Sequence, residues 1–403
     1  MTTTAIFDPK LYDPDTFVPG VPHEAFKRLR NEAPVFRQVA PDTGTPFWVL
    51  SKYDDVVLVS QDSATFSSAQ GTNIEDIGSG TELMMLNMDP PRHTKLRTLV
   101  SKGFTPKMVR EMEPHVREIT NSIIDKVAKR GECDFVTDIA AELPLAVIAE
   151  LIGVPREEQH QIFHWGNQMV GMEDPEYGTT METAMNAAGA MFAYAEQLAA
   201  KRREHPRADL VSVLIDSDVD GEKLTPLEFN VFFMLLAVAG NETTRNLTSN
   251  AMLALFDFPE QKERLLADAS LMPTAVEEML RWGSVVMYFR RTTTKDVEIR
   301  GQHIGPNEKL TIWYISANRD EDIFPDGDVF DVGRSPNNHV AFGGGGAHFC
   351  LGASLARLEI RILFEELLRR LPDIQQAGPA ARLRSNFING VKHIPVRFTP
   401  ERG

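Results

Sequence analysis

A cysteine that follows a run of glycines is the side chain in this sequence best placed for chemistry. Glycines 343–346 lie just ahead of Cys350, and a pattern typical of an amphipathic helix begins directly after it. A thiolate at a helix N-terminus is stabilised by unpaired backbone N–H groups and is a good metal ligand. Glycines also let the backbone approach a flat group closely. The pattern therefore indicates a metal-ligating cysteine, with a buried structural cysteine beside a tight turn as the alternative.

The same glycines do not have the spacing of a phosphate-binding loop. In a G-x-G-x-x-G pattern that starts at Gly343 or Gly344, the last glycine falls on His348 or Phe349. HExxH, CxxC and G-x-S-x-G are also missing from the sequence. The common nucleotide, zinc and nucleophile-elbow signatures are therefore absent.

A second group of candidate residues lies inside a long apolar helix. Thr225 and Glu228 have the spacing of a capping box, and the pattern after them predicts a helix of about 32 residues. Residues 231–240 are apolar on every side and are followed by Glu242 and Thr243. A buried carboxylate costs several kcal/mol unless it is paired, solvated or functional. A hydroxyl beside it suits proton transfer, whereas the alternative is a bond to the helix carbonyl four residues earlier.

Three further charged residues are informative only as a group. Glu278 and Arg281 are three residues apart, so they share one helix face, and a surface pair of this kind would contribute little. Arg334 lies in a Pro/Asn/Gly-rich stretch ahead of the glycine run. We expect it to complete a charge network with the pair.

The elements that hold these groups are predicted to be mostly helices. Between residues 95 and 273 apolar residues recur at spacings of three and four, whereas strand patterns are short and peripheral. The strand patterns lie near Phe47, at 296–304, at 308–317 and at the C-terminal end. The sequence therefore predicts a mainly α fold with small peripheral β-sheets. Because no flexible linker is visible, we expect residues 1–403 to form a single domain.

Composition excludes several classes of protein. The chain has 403 residues, 42% of them hydrophobic and 25% charged, as in globular proteins. Its 42 basic and 57 acidic residues give a net charge of −15, which argues against nucleic acid as a partner. Only two cysteines occur, which fits a reducing, cytoplasmic setting. The longest apolar run is about half the length of a membrane span, so no membrane insertion is expected.

Five segments, taken in order, resemble bacterial cytochrome P450 monooxygenases over essentially the whole chain. They are HxxxR at 93–97, AGNETT at 239–244, ExxR at 278–281, the arginine at 334, and FGGGGAHFCLG at 342–352. Each is a weak signal alone, and the ordered set is highly specific. The resemblance implies the single-domain P450 fold, haem b as the cofactor and O2 as co-substrate.

The resemblance also implies roles for residues around the haem. Cys350 matches the thiolate axial ligand of the iron, a donor that favours O–O cleavage. Positions that bind the haem propionates are matched by His93, Arg97, Arg291 and His348, whose side chains pair with carboxylates through charge-assisted hydrogen bonds.

The family's oxygen-activation motif matches residues 239–243. By that resemblance, small residues at Ala239 and Gly240 let O2 and haem approach the helix. Thr243 would donate a hydrogen bond to bound dioxygen, and Glu242 would link Thr243 to solvent as a proton relay. Phe342, also placed beside the haem, stands eight residues before Cys350, where the commonest bacterial form has seven.

This longer loop is similar to that of actinobacterial P450s that hydroxylate terminal methyl groups of methyl-branched lipids and cholesterol-type side chains. The implied substrate is an extended apolar molecule such as a methyl-branched lipid, fatty acid, isoprenoid or sterol. Apolar segments that could line its pocket include Ile74, Ile77, Leu83, Met84, Met85, Leu86, Phe229, Phe233, Ala237, residues 285–289, Phe387 and Ile388. Each of these could equally pack in the core.

The chain has no room for a flavin or iron–sulfur domain. The resemblance therefore implies that electrons come from NAD(P)H through separate proteins, a ferredoxin and its reductase, acting on a monomer. Basic residues expected to dock the ferredoxin are Lys95, Arg97, Lys102, Lys107, Arg110, Arg357 and Arg361. A solvated helix face is the alternative.

Two other functions stay open at this point. A peroxide-driven or non-oxygenating haem-thiolate enzyme would share the fold but would not need a proton relay at Glu242 and Thr243. A helical nucleotide-binding or scaffold protein would use the glycines only for a turn.

Overall fold

Helices form most of the structure. This computed structural model describes residues 8–76, 81–101, 104–170, 174–177, 180–207, 209–216, 218–219 and 222–402. The α-helices are α1 His23–Glu32, α2 Tyr53–Gln61, α3 Arg92–Ser101, α4 Pro106–Val127, α5 Glu142–Ile152, α6 Gln159–Val170, α7 Met181–Glu204, α8 Leu210–Asp216, α9 Pro226–Asp257, α10 Pro259–Ala267, α11 Met272–Gly283, α12 Tyr314–Ala317 and α13 Ala353–Arg370. The predicted mainly α class is confirmed. Within the described ranges, none of these helices is long and apolar enough to cross a bilayer.

The longest helix, α9, organises the others around it. It has 32 residues and is therefore about 48 Å long. Its start is the predicted capping box, in which Thr225 Oγ1 accepts from the Glu228 N–H at 3.2 Å and Glu228 Oε2 accepts from the Thr225 N–H at 2.9 Å. Helices α5, α6, α7 and α11 pack along it.

The two halves of α9 contribute to two different apolar cores. Phe229 and Phe233, in the N-terminal half, pack with α5, α7 and α8. Leu247 and Leu255, in the C-terminal half, pack with α4, α11 and α13. Full burial of one such side chain contributes about 1.5–3 kcal/mol. The middle of α9 is thus held firmly from both sides.

The strands form small sheets beside the helical part. They are β1 Val35–Ala40, β2 Thr45–Leu50, β3 Phe66–Ser67, β4 Glu132–Asp134, β5 Asp218–Val219, β6 Glu222–Lys223, β7 Tyr288–Thr293, β8 Val297–Ile299, β9 Gln302–Ile304, β10 Lys309–Trp313, β11 Gln375–Gln376, β12 Ala381–Arg382, β13 Val391–His393 and β14 Pro395–Arg397. The largest sheet has the order β1-β2-β10-β7-β3. Its pairs are antiparallel except for β2 and β10, where Leu310 lies opposite Trp48 in parallel register.

Two strand predictions need refinement. Residues 296–304 form the hairpin β8–β9 rather than one strand, because Arg300 and Gly301 take positive φ values of 50° and 76° and reverse the chain. Residues 308–317 begin as strand β10 and end as the short helix α12. Both segments still lie at the margin of the helical part.

The predicted charge network is present, and its central pair is fully buried. Glu278 and Arg281 have no solvent exposure, and their side chains bind each other through two hydrogen bonds of 2.7 Å. Arg334 approaches the same carboxylate at 3.2 Å. Arg281 also donates to the carbonyl oxygens of Asn318 and Gly327 at 2.7 and 2.8 Å. The network therefore ties α11 to the long irregular segment that precedes the glycine run.

We expect Glu278→Gln to lower the free energy of unfolding by about 3–5 kcal/mol, because it leaves Arg281 and Arg334 as buried charges without a counter-charge. Chemical denaturation measures this loss. The matched control is Glu32→Gln, which breaks an exposed i,i+4 pair with Arg28 and should cost less than about 1 kcal/mol. Equal losses in the two variants would contradict the assignment of the network as a structural anchor.

Candidate active site

The glycine run lies against helix α2. A Cβ on Gly344 would stand 2.7 Å from Ser60 Oγ, and one on Gly346 would stand 2.2 Å from the Ser60 carbonyl oxygen. Gly343, Gly345 and Gly346 also have φ values of 96°, 91° and 75°, where side chains are strained. The glycines are therefore required by packing on α2, a reason that the sequence alone did not reveal.

Cys350 lies at the end of this loop, just before α13. Its N–H donates to the Phe342 carbonyl oxygen at 3.0 Å, which closes the loop. Burial raises the pKa of the Cys350 thiol, while the N–H groups of Gly352 and Ala353 and nearby arginine charges act in the opposite direction. The residue is nevertheless exposed.

Phe342 braces the loop from the other side. The guanidinium of Arg357 lies over its ring at 4.7 Å, and the Phe349 ring is 6.4 Å away, centroid to centroid. Arg357 also binds Glu277 of α11 through two hydrogen bonds of 2.7 and 2.8 Å. The loop that carries Cys350 is thus connected to the same helix as the buried charge network.

The four predicted propionate-binding residues come together from three parts of the chain. His93 and Arg97 lie one turn apart on α3, Arg291 lies on β7, and His348 lies in the glycine-run loop. The rings of His93 and His348 are 4.2 Å apart, and Arg97 donates to the Phe349 carbonyl oxygen. We refer to His93, Arg97, Arg291 and His348 as the basic cluster.

Within the described part of the chain, no carboxylate pairs with the basic cluster. Arg291 is 3% exposed, and its guanidinium donates to the Arg290 carbonyl oxygen at 2.8 Å. Burial and the charge of Arg291 lower the pKa of His348 to about 3, and burial also lowers the pKa of His93, whose buried Nδ1 has no partner. Asp89 raises the pKa of His93 only through its charge at a distance, because its carboxylate accepts a hydrogen bond from the Ser68 N–H. The cluster thus offers two guanidinium charges and two neutral imidazoles.

One face of α9 also borders open space. Leu235, Ala239 and Thr243 follow one another at four-residue spacing and are all at least partly accessible, and Ala239 is the most exposed of the three. The Thr243 hydroxyl donates to the Ala239 carbonyl oxygen at 2.7 Å. The sequence analysis missed Leu235, although counting back eight residues from Thr243 along the helix would have found it.

Gly240 has a packing contact that the sequence did not reveal, and its expected place beside haem and O2 stays a prediction. A Cβ on Gly240 would stand 2.8 Å from Cγ1 of Ile148 on α5. Because successive helix residues point about 100° apart, Gly240 faces the α5 packing while Ala239 faces the open side. The small residue required by helix packing is Gly240, and the one that leaves room in the cleft is Ala239.

Glu242 is also placed differently from the expectation. It is 2% exposed and forms an ion pair with Arg245, three residues further along α9. Burial raises the pKa of Glu242, and the charge of Arg245 opposes that rise. In the described structure the expected link from Thr243 through Glu242 to solvent is not formed, because one side chain binds the helix and the other binds Arg245.

The predicted pocket residues divide into two sets. Ile74, Phe229, Phe233, Ala237, Val285, Met287, Tyr288 and Ile388 are buried in the apolar cores. Partly accessible residues are Leu83, Met84, Met85, Leu86, Val286, Phe289 and Phe387, and the rings of Phe289 and Phe387 are 5.6 Å apart. Ile77 lies outside the described residues. The second set is the one that can line a cleft.

The predicted basic docking surface is partly neutralised. Arg357 pairs with Glu277, and Arg361 pairs with Glu113 and Glu365 at 2.7 and 3.1 Å. Lys102 lies outside the described residues. Arg110 is exposed on α4, and Lys107 lies 3.8 Å from Glu111. The positive surface is therefore narrower than the sequence suggested.

Comparison with known proteins decides the family. The family model described as Cytochrome P450 matches residues 16–372. The chain is a cytochrome P450. It is 43% identical over 389 residues to a methyl-branched lipid omega-hydroxylase of Mycobacterium tuberculosis. This alignment covers 93% of this chain and 90% of that protein. It is 41% identical over 421 residues to a steroid C26-monooxygenase of Rhodococcus jostii, covering 99% and 88%.

Solved structures agree with this family. A Mycobacterium marinum cytochrome P450 in complex with pseudoionone matches with a TM-score of 0.89 and 40% identity, covering 93% of this chain and 94% of that chain. This P450 is accordingly a haem-thiolate monooxygenase, an oxidoreductase that uses haem, O2 and a supply of electrons.

The residues around Cys350 fit haem. Across the described ranges, no three His, Cys, Asp or Glu side chains are grouped to hold a metal ion, so a metal at Cys350 must bring most of its ligands, as haem iron does. The two guanidinium charges of the basic cluster match the two carboxylates of haem b in number. The unpaired His93 Nδ1 is a further buried polar atom that such a group could satisfy.

We expect Gly240→Ala to lower the free energy of unfolding by about 1–3 kcal/mol, since the new methyl group overlaps Ile148. The matched control is Gly189→Ala on α7, where nothing lies within 4 Å and removal of a helical glycine should stabilise by about 0.5–1 kcal/mol. Urea denaturation compares them. Unchanged stability combined with weakened haem binding would restore the original assignment of Gly240 to the cofactor.

Proposed function

We propose that this P450 inserts one oxygen atom of O2 into a C–H bond near the end of an extended apolar substrate. A methyl-branched lipid, a fatty acid, an isoprenoid or a sterol side chain has the required chemistry. The names of the two relatives point to the ends of a branched lipid and of a steroid side chain. The accessible apolar set around Leu83–Leu86, Val286, Phe289 and Phe387 supports a hydrocarbon, since burial of each CH2 contributes about 0.8 kcal/mol.

The observation that carries the proposal is an accessible thiol beside a basic cluster that no carboxylate of the described chain neutralises. In the proposed site Cys350 holds the haem iron, and His93, Arg97, Arg291 and His348 hold the propionates. Phe342 closes the loop behind the cysteine. Two backbone N–H groups at the start of α13 stabilise negative charge on the sulfur. When bound, haem supplies the iron centre at which O2 is activated.

Thr243 and Glu242 are proposed to serve proton delivery. Thr243 lies on the open face of α9, where its hydroxyl can turn from the Ala239 carbonyl to a group in the cleft. Glu242 is the carboxylate next to it in sequence. Because the two are not connected in this structure, delivery requires rotation of at least one of these side chains.

Electrons are proposed to come from NAD(P)H through a ferredoxin and its reductase. The surface proposed to dock the ferredoxin includes the basic residues Lys95, Arg97, Lys107 and Arg110 on α3 and α4. Positive charge there would attract an acidic donor and raise its association rate. We further propose that residues 1–403 work as one domain and as a monomer in the reducing cytoplasm, where Cys350 stays unoxidised.

The ligand assignment is tested by Cys350→Ser. We expect the variant to lose the red-shifted absorption band that carbon monoxide gives with a reduced haem-thiolate protein, because serine supplies no sulfur donor. Optical spectroscopy of the reduced protein under carbon monoxide measures it. The matched control is Cys133→Ser, because Cys133 is buried in β4, a strand that pairs with β14 in a small sheet. Survival of the shifted band in Cys350→Ser would refute the assignment.

The substrate class is tested by titrating the ferric protein with fatty acids, branched isoprenoids and sterols. Displacement of water from the iron by a fitting substrate changes the optical spin-state signal, and we expect the branched and sterol ligands to give the largest change. Product analysis with a ferredoxin, its reductase and NADPH then locates the hydroxyl group. Turnover that runs only with peroxide would favour the peroxide-driven alternative, for which the unconnected Thr243 and Glu242 are the supporting observation.

A further inference from the structure

A cavity of about 280 Å³ opens at the surface beside the start of α9. It lies between the end of α7, helix α8 and the segment that joins β6 to α9. Arg203, Asp216 and Lys223 are exposed on its wall. Leu214 and Phe229, also on its wall, are buried. The cavity therefore combines a charged mouth with an apolar interior.

Two positive charges at this mouth are available to an anion. Arg203 and Lys223 have no carboxylate partner among the residues that the structure describes. A third arginine on the wall, Arg202, already binds Asp209. Asp216 is the acidic side chain on the described wall. The mouth thus keeps an excess of positive charge, although the chain as a whole has a net charge of −15.

A narrower apolar passage continues from this cavity. A second cavity, of about 10 Å³, shares Leu214 and Leu224 with the first. It reaches Leu83 and Met85, which belong to the accessible apolar set proposed to contact the substrate. Its volume is about that needed for one water molecule, so a hydrocarbon passes only when a side chain rotates. Met85 is suited to that movement, because its side chain is unbranched and flexible.

The passage follows one face of α9. Glu228 and Phe232 line the second cavity. Leu235, Ala239 and Thr243 continue the same row along the open face. At about 100° per residue these five positions lie within about 80° of arc, and Glu228 and Thr243 are about 22 Å apart along the axis. A ligand that follows this row therefore has one end at the surface and the other beside Thr243.

We propose that this cavity binds the carboxylate of a long-chain fatty acid, with Arg203 and Lys223 as its anchor and the hydrocarbon extending along α9 to Thr243. The proposal rests on the proposed hydroxylation of an apolar chain, and it specifies the polar end of that substrate. Because the anchor fixes one end of the chain, the chain length decides which carbon reaches the cleft. Attack near the far end then follows from positioning rather than from C–H reactivity.

The passage selects an anionic head group over a neutral or cationic one. The planar guanidinium of Arg203 can bind both carboxylate oxygens, and Lys223 adds a point charge. Glu228, where the passage narrows, is bound by Arg92 and by the Thr225 N–H, so it has little capacity left for a cation. An apolar molecule without an acid group would leave both basic residues unpaired.

The test compares tetradecanoic acid with methyl tetradecanoate, which has the same chain without the charge. Isothermal titration calorimetry of the holoenzyme measures both Kd values. We expect the native protein to bind the acid more tightly than the ester. The double variant Arg203→Gln/Lys223→Gln should weaken binding of the acid about tenfold and leave binding of the ester unchanged. Higher ionic strength should also weaken binding of the acid.

The matched control is Lys201→Gln. Lys201 is exposed in the same last turn of α7 as Arg203 but does not line the cavity, so this variant should change neither Kd. Arg203→Lys keeps the charge and should retain most of the affinity for the acid. Each single glutamine variant should weaken binding of the acid about threefold, and these variants serve if the double variant does not fold.

Product analysis across a series of straight-chain acids tests the positioning. With an anchored carboxylate, the hydroxyl group should stay at a constant distance from the carboxylate, and therefore move inward from the methyl end as the chain lengthens. Acids shorter than the row should not be hydroxylated. In the double variant this dependence on chain length should disappear, which a purely structural role of the two residues would not produce.

Three results would overturn the proposal. They are equal affinity of the native protein for acid and ester, unchanged affinity for the acid in the folded variants, and hydroxylation at a constant distance from the methyl end. Failure of the proposed function gives a different result. The acid would then still bind through Arg203 and Lys223, but no acid would be hydroxylated with a ferredoxin, its reductase and NADPH.

Discussion

The buried charge network of Glu278, Arg281 and Arg334 is the interaction on which the site depends. A carboxylate and a guanidinium with no solvent exposure are stable in the interior only if their own polar atoms are hydrogen-bonded, as those of Glu278 and Arg281 are. That requirement fixes the carbonyl oxygens of Asn318 and Gly327 and the N–H of Asp331 in space. These contacts give the irregular segment before the glycine run a single path, although it has little regular secondary structure of its own.

Further contacts then fix the chain between this segment and the cysteine. Asn318 Oδ1 accepts from the Val340 N–H at 2.7 Å, which sets the entry to the glycine run. Glu277, next to Glu278, binds both His339 and Arg357, one on each side of the loop. Two adjacent carboxylates on α11 therefore fix different parts of the chain. The buried Glu278 holds the segment before the loop, and the half-buried Glu277 holds the loop against α13.

The sequence predicted those features that depend on local spacing. The capping box at Thr225, the length of α9 and the pairing of Glu278 with Arg281 all involve residues within four positions of one another. The packing of Gly240 was not predictable, because it depends on Ile148, which approaches α9 from another helix. The pair of Glu242 with Arg245 has local spacing, but the contact of Arg245 with Asn167 of α6 does not. The pairings of Arg357 with Glu277 and of Arg361 with Glu113 join residues 80 and 248 positions apart, so the basic surface was overestimated.

The lack of a carboxylate partner for the basic cluster among the described residues also affects the stability of the fold. In a chain with 57 acidic residues, most buried arginines have a carboxylate partner, as Arg30, Arg202, Arg245 and Arg281 do. Arg291 is equally buried and lacks one within the described residues, so the protein without cofactor keeps an uncompensated charge inside. In the proposed site, a dianionic cofactor neutralises Arg291 and stabilises the folded state by its binding free energy. In that assignment the cost of leaving Arg291 unpaired in the fold becomes part of the affinity for the cofactor.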